Sequence, residues 1–244
     1  IPPMTWSIVA RDADGALGVA VASRFFAVGA LCPYARREAG AVSTQALVNP
    51  SYGPAALERL VAGSSPQDAL AALVASDAGA AHRQVHAVDA AGRSAAFTGE
   101  ACVPWCGHRT HEHFSLAGNM LAGANVLDET ARAFREHAHL PFALRLIVAM
   151  QAGEAAGGDR RGKQAAALLV VTTEDYPALD IRVDDHAEPL AELRRLYDVS
   201  LERFQPFVAC LPSRARPVGI TDRDEIERAI ERFQQARAAA PTRR

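Results

Sequence analysis

The sequence predicts an α+β fold in which antiparallel sheets are covered by layers of helices. Three observations carry this expectation. Strand patterns occur in grouped hairpins, helical patterns occur in pairs, and nowhere does strand–helix–strand alternation build a parallel sheet. Enough strand patterns are present for two sheets. At 244 residues, with 49% hydrophobic and 22% charged residues, the chain can bury a sizeable core.

The opening hairpin pairs the β-branched run around residues 8–10 with a return strand over 17–22, joined by the turn-forming Asp12-Ala-Asp-Gly15. Residues 41–48 read as a third strand, broken by Asn49-Pro-Ser-Tyr-Gly-Pro54. Helical spacing follows over 55–62, where Pro54 can open the first turn and Gly63 stops it. Ser65-Pro66 predicts a capped second helix through Ser76. Residues 84–89 and 94–99 form another hairpin pattern, and 114–121 one more strand. Two helices are expected over 126–137 and 141–153, the second stopped by Gly157-Gly158. Strands over 163–172 and 179–183 precede a helix from Leu190 to about Phe204, and an Arg/Glu-rich helix spans 222–239.

A net charge of −2 gives no basic field for nucleic acid and no pull toward an anionic membrane. No run of 18 apolar residues and no secretion-signal pattern occurs, so a soluble cytoplasmic protein is expected. Four cysteines do not make a disulfide framework at this length. Gly157-Gly-Asp-Arg-Arg-Gly-Lys163 lacks Walker spacing, and no cofactor is expected.

Thr5 stands at the head of the first hairpin. A threonine with a free α-amine combines a nucleophile with its own base, because the amine, of pKa roughly 7.7–8.0, can accept the hydroxyl proton. The alternative is that Thr5 only starts a strand. The run Thr5-Trp-Ser-Ile-Val-Ala-Arg-Asp, turn, Leu-Gly-Val-Ala-Val-Ala-Ser-Arg resembles the opening of N-terminal nucleophile (Ntn) hydrolases, including proteasome β subunits. A closer resemblance is to a bacterial Ntn-hydrolase-like family of unassigned function. It is carried by Ala22-Ser-Arg-Phe-Phe-Ala-Val-Gly29, Thr44-Gln-Ala, Asn49-Pro-Ser-Tyr-Gly-Pro54, Phe97-Thr-Gly-Glu-Ala-Cys102, Gly118-Asn119, Gly157-Gly-Asp-Arg-Arg-Gly-Lys-Gln164 and Arg182-Val-Asp-Asp-His186.

The resemblance implies a four-layer αββα sandwich of two mainly antiparallel sheets over residues 5–205, with 1–4 an extension or cloning remnant and 206–244 a helical tail. It implies hydrolysis of a C–N amide bond through an acyl-enzyme, with Thr5 as nucleophile and Asn119 donating to the oxyanion. Ala22 stands where proteasome subunits carry an aspartate, which argues against proteolysis. Arg24 and Thr44 are expected on strands beside Thr5, within reach of it. Gln45 and Asn49, from their motifs, and Glu100 and Asp159, carboxylates beside glycines, complete the candidate substrate-binding set. Arg24, Arg160 and Arg161 suggest a small polar, carboxylate-bearing substrate, and a homo-oligomer is expected by analogy.

Two alternatives stand beside this reading: a non-catalytic binding or assembly module on the same fold, and a metal-dependent hydrolase using Cys102, Cys106 and His108. The Cys-x3-Cys spacing is not a usual zinc spacing, and Asp184-Asp-His186 equally caps the following helix, so no metal is expected. With Ile1 to Met4 attached, Thr5 has an amide where the mechanism requires an amine; such a chain is expected to be a precursor or disabled form.

Overall fold

Two antiparallel sheets face each other, each covered on its outer side by a pair of helices. The structure, a computed structural model, describes residues 5–239; the expectation for residues 1–4 lies outside these. The chain divides into two compact units, the first ending at Arg194 and the second beginning at Arg195.

In the first unit, β1 (Thr5–Arg11) and β2 (Leu17–Ser23) form the predicted hairpin. A short 3-10 turn, Val28–Ala30, leads to β3 (Pro33–Arg36) and β4 (Gly40–Ala46). Helices α1 (Tyr52–Val61) and α2 (Pro66–Ser76) follow. Next come β5 (Arg83–Asp89), β6 (Ser94–Thr98), β7 (Gly107–His111) and β8 (Phe114–Asn119). The second helix pair is α3 (Asn125–Glu136) and α4 (Phe142–Ala155), before β9 (Ala165–Val171) and β10 (Leu179–Val183). Helix α5 (Pro189–Ser200) contains the unit boundary.

The larger sheet has the order β10-β9-β2-β1-β8-β7 and the smaller β3-β4-β5-β6. Helices α3 and α4 pack on the first, α1 and α2 on the second. The alternating pleat sorts each strand's residues between two environments. Trp6, Ile8 and Ala10 of β1 turn toward the helices, while Thr5, Ser7 and Val9 turn toward the other sheet, all buried. Away from Thr5 the space between sheets is apolar, filled by Val9, Leu17, Val19, Ala41, Val88 and Val171. Around Thr5 it is not.

The α2 start is as the sequence indicates: Ser65 caps it by accepting from the Asp68 amide, with Pro66 in the first turn. The third strand ends at Ala46, two residues before its predicted end, because Ala46 adopts φ 69° and turns the chain away. Likewise β8 ends at Asn119, before Met120 at φ 52°. Two strands lack a sequence signal. Four-residue β3 opens on a proline, and β7 reads Gly-His-Arg-Thr-His with no apolar alternation.

In the second unit, α6 (Phe204–Val208) and α7 (Arg223–Ala239) are joined by an Arg203–Glu227 ion pair and by Gln234 donating to the Leu201 carbonyl at 2.7 Å. Among the described residues no helix is long and apolar enough to cross a membrane.

Gly29 is required where the 3-10 turn lies on β9. A methyl group there would overlap the Ala167 Cβ and also meet the Arg182 side chain, and the Ala167 atom can move only with its strand. Gly29→Ala should therefore destabilise the fold by about 1–3 kcal/mol in denaturant titration, the usual cost of overpacking; an unchanged midpoint would show that the turn is not held against β9.

Candidate functional site

Residues on the facing sides of β1, β4, β5 and β8 put an amide and hydroxyl layer where a sandwich ordinarily has aliphatic side chains. Thr5 and Ser7 come from β1, Ser43 and Gln45 from β4, Gln84 and His86 from β5, Ser115 and Asn119 from β8; every one is buried, Thr5 being 1% exposed. The strand register makes this possible. Thr5 pairs with Asn119 across β1 and β8, and Gln45 with Gln84 across β4 and β5.

The bonds leave few alternatives. Gln45 Nε2 donates to the Thr5 carbonyl at 3.2 Å and to Gln84 Oε1 at 2.8 Å. Asn119 Nδ2 donates to the same two acceptors, at 3.3 and 3.1 Å. Gln84 Nε2 in turn donates to Thr98 Oγ1 and the Gly118 carbonyl, both at 2.9 Å, with the Gly107 carbonyl at 3.1 Å. Reversing the Gln45 amide would point its oxygen at two other oxygens. Its Oε1 must therefore accept, and Ser7 Oγ donates to it at 2.6 Å.

Because the Ser7 hydrogen is committed to Gln45, Ser7 has only lone pairs to offer His86 Nε2, 2.7 Å away. His86 Nε2 therefore carries the proton, and Nδ1 accepts from Ser115 Oγ at 3.2 Å. One directed chain of hydrogen bonds thus runs from Ser115 through His86, Ser7 and Gln45 to the Thr5 carbonyl. Burial holds the imidazole neutral, lowering its pKa from 6.5 to about 3, with a lesser contribution from His108 and a smaller opposing one from the Ser115 backbone. The Thr5 hydroxyl is 3.3 Å from Ser23 Oγ, to which it donates.

Two cavities flank this strand end. One of about 10 Å3 is walled by Thr5, Gln45 and apolar side chains. The other, about 100 Å3, is lined by Ala46, His82, Cys102, Val103 and Asn119 among others. The loop between them is anchored by Arg83, which donates to the Leu47 carbonyl at 2.5 Å and to Asp77 at 3.1 Å. The Asp77 carboxyl is held below its ordinary pKa by the Gly79 amide first, then by Tyr52 and Arg83.

Of the residues singled out from sequence, Thr5, Gln45 and Asn119 are brought together. Asn119, expected to face an oxyanion, directs both amide hydrogens to Thr5 and Gln84. Arg24 is exposed; its guanidinium donates to the Arg161 carbonyl at 2.7 Å and its backbone amide to Asp159 at 2.8 Å. Asp159 also receives the Arg161 amide and guanidinium, so this carboxylate shapes the loop over residues 159–162. Thr44 was expected to reach Thr5. It lies instead on the opposite face of β4 from Gln45, its hydroxyl donating to the Asn49 carbonyl at 3.1 Å. Asn49 organises the turn before α1, accepting from Ser51 and donating to Asp77. Glu100 is exposed in the turn after β6.

Cys102 and Cys106 are both pushed up in pKa by burial, Cys102 to about 11, and His108 Nδ1 is 2.9 Å from Thr98 Oγ1. Among the described residues no group of three or more His, Cys, Asp or Glu is placed to hold a metal ion. Ser7, Ser23, Gln84, His86 and Ser115 were not anticipated. Their signal is a polar residue at every second position, as in Thr5-x-Ser7, Ser43-x-Gln45 and Gln84-x-His86, inside otherwise apolar strands.

A family model described as a family of unknown function, DUF1028, matches residues 5–193. The crystal structure of protein SPO2555 from Silicibacter pomeroyi, of the same family model, superposes with a TM-score of 0.83 at 33% identity, covering 90% of this chain and 96% of that one. Anbu, an ancestral beta-subunit from Yersinia bercovieri, gives a TM-score of 0.37 at 9% identity over 85% of this chain and 98% of its own, a likeness too low to bear on the fold. No curated protein is detectably similar.

A buried neutral histidine makes stability depend on pH with a definite sign. The folded pKa lies below the unfolded one, so from 6.5 downward the unfolded chain takes up a proton that the folded chain refuses. His86 thus leaves stability intact above about pH 6.5 and lowers it by about 1.4 kcal/mol per pH unit below that. His86→Gln should flatten the slope of unfolding free energy between about pH 6.5 and 4.5 by that amount. An equal slope in both proteins would mean that the imidazole is protonated in the fold.

Proposed function

The chain belongs to the family of unknown function DUF1028, and we propose that it is an N-terminal-threonine amidohydrolase of the Ntn type, cleaving a C–N bond in a small amide through an ester at Thr5. The observation that carries this reading is the Thr5 carbonyl, held by two side-chain amides from two different strands, Gln45 and Asn119. Fixing a strand's first residue from both sheets positions its hydroxyl and its α-nitrogen to a degree that a mere strand end does not require. The layer order of paired helices and facing sheets and the ordered sequence motifs support the same reading.

With Thr5 as the first residue, its α-amine takes the Oγ1 proton while Oγ1 attacks the substrate carbonyl carbon. The amine then passes that proton to the leaving nitrogen as the C–N bond breaks, and water hydrolyses the resulting ester to release the acid. Gln45 and Asn119 orient Thr5 throughout; for Asn119 to serve an oxyanion, one of its present bonds would have to be exchanged. The mechanism requires a chain from which residues 1–4 have been removed. A cytoplasmic homo-oligomer belongs to this reading too, and sedimentation velocity measures the second part.

A protein beginning at Thr5 should hydrolyse one member of a panel of small amides, ureido compounds and isopeptides. Thr5→Ala should lower kcat/KM by at least about 1,000-fold with little change in melting temperature. Retained turnover in Thr5→Ala would reject Thr5 as the nucleophile.

A further inference from the structure

The smaller cavity at Thr5 limits what can sit beside the attacking oxygen. At about 10 Å3 it has room for one water or one methyl group. Its lining is apolar at Phe25, Val28, Leu31, Cys32, Ala46 and Val48, and includes Thr5 and Gln45. Cys32 is uncharged, since burial pushes its thiol up to about 12.

A buried water would need about three hydrogen bonds. The Gln45 amide offers none, because both its hydrogens are committed to Thr5 and Gln84 and its oxygen accepts from Ser7 and, at 3.4 Å, from Ser43. The Thr5 hydroxyl donates to Ser23 and can offer a water only a lone pair, one bond of the three. An apolar group is the better occupant.

The cavity on the Asn119 side is about 100 Å3 and has His82 on its wall. An amide presents two unequal ends to a nucleophile. The carbon substituent of the carbonyl makes no hydrogen bonds, whereas the nitrogen must be protonated as it leaves and then solvated. Both cavities are mainly apolar; the smaller, with room for one methyl, suits the first end, and the larger, with space for a bulkier group and with His82 in its lining, suits the second.

We propose that the site takes amides of short, unbranched, uncharged acyl groups, acetyl in size, with the acyl carbon seated among Val28, Leu31 and Val48 and the amine portion on the Asn119 side. This rests on Thr5 being the nucleophile. It narrows the sequence-based expectation of a carboxylate-bearing substrate to the amine portion, because among the described residues no cationic side chain lines the acyl cavity.

The test uses the protein beginning at Thr5 with p-nitrophenyl acetate, propionate, butyrate, hexanoate and hemisuccinate, each corrected by the Thr5→Ala rate. Thr5-dependent kcat/KM should fall about tenfold or more per methylene added beyond acetate. Hemisuccinate should be inert. Leu31→Ala and Val48→Ala should move the optimum toward butyrate. A flat chain-length profile, or a preference for hemisuccinate, would overturn the acyl subsite while leaving the nucleophile in place.

Binding separates the two ideas from the other side. Acetamide added to Thr5→Ala should shift the methyl NMR signals of Val28, Leu31 and Val48, and succinamate should not. Those shifts without any Thr5-dependent turnover would keep the subsite and reject the nucleophile; neither shifts nor turnover would reject both.

Discussion

The orientation of one buried amide, that of Gln45, organises the interior of the first unit. Its nitrogen faces the Thr5 carbonyl and Gln84, so its oxygen faces Ser7, and the protonation of His86 follows. Each of these groups has been taken out of water. An amide left without its partner at this depth costs about 1–3 kcal/mol, so loss of one member leaves others uncompensated. The layer is for that reason stable only as a whole. It also fixes how the sheets face each other, since moving β4 by one residue would replace Gln45 with Thr44 or Ala46 and strand the acceptors opposite.

Three of the five described non-glycine residues with positive φ lie near Thr5, the others being Glu38 and His113 in hairpin turns. Ala27, Ala46 and Met120 all adopt positive φ, at 51°, 69° and 52°, a region that costs a non-glycine residue of order 1–3 kcal/mol. Ala46 directly follows Gln45 and Met120 directly follows Asn119, so β8 stops at the residue that holds Thr5 and β4 one residue beyond it. Ordinary hydrogen bonds retain these conformations: Met120 donates to the Val103 carbonyl at 2.9 Å, Leu47 to that of His82 at 3.1 Å, and Ala27 to that of Asp184 at 2.9 Å.

The architecture was legible because its signals are local. Hairpin turns, paired amphipathic patterns and the Ser65-Pro66 cap each specify their element without reference to the rest of the chain. Strands β3 and β7 were not legible: both are short edge strands whose pairing is decided by neighbours and not by their own residues. The site was partly legible. Thr5, Gln45 and Asn119 are reached through motif resemblance; Thr44, expected on a strand within reach of Thr5, points away from it. Which face of β4 looks at β1 follows from the packing of one sheet on the other, and no feature within Thr44-Gln45-Ala46 encodes it. The alternating polar positions of β1, β4 and β5 did mark that face, and Ser7, His86 and Gln84 were the residues they marked.

Hydrogen bonds run in one direction from Ser115 to the Thr5 carbonyl, and the His86 ring reports that direction most directly. Nitrogen-15 NMR of the histidine-labelled protein near pH 7 should show His86 as the neutral tautomer protonated at Nε2, with Nδ1 bare and accepting. A ring protonated at Nδ1 would reverse the Ser7 bond and withdraw its hydrogen from Gln45. That result would mean that no such directed chain exists.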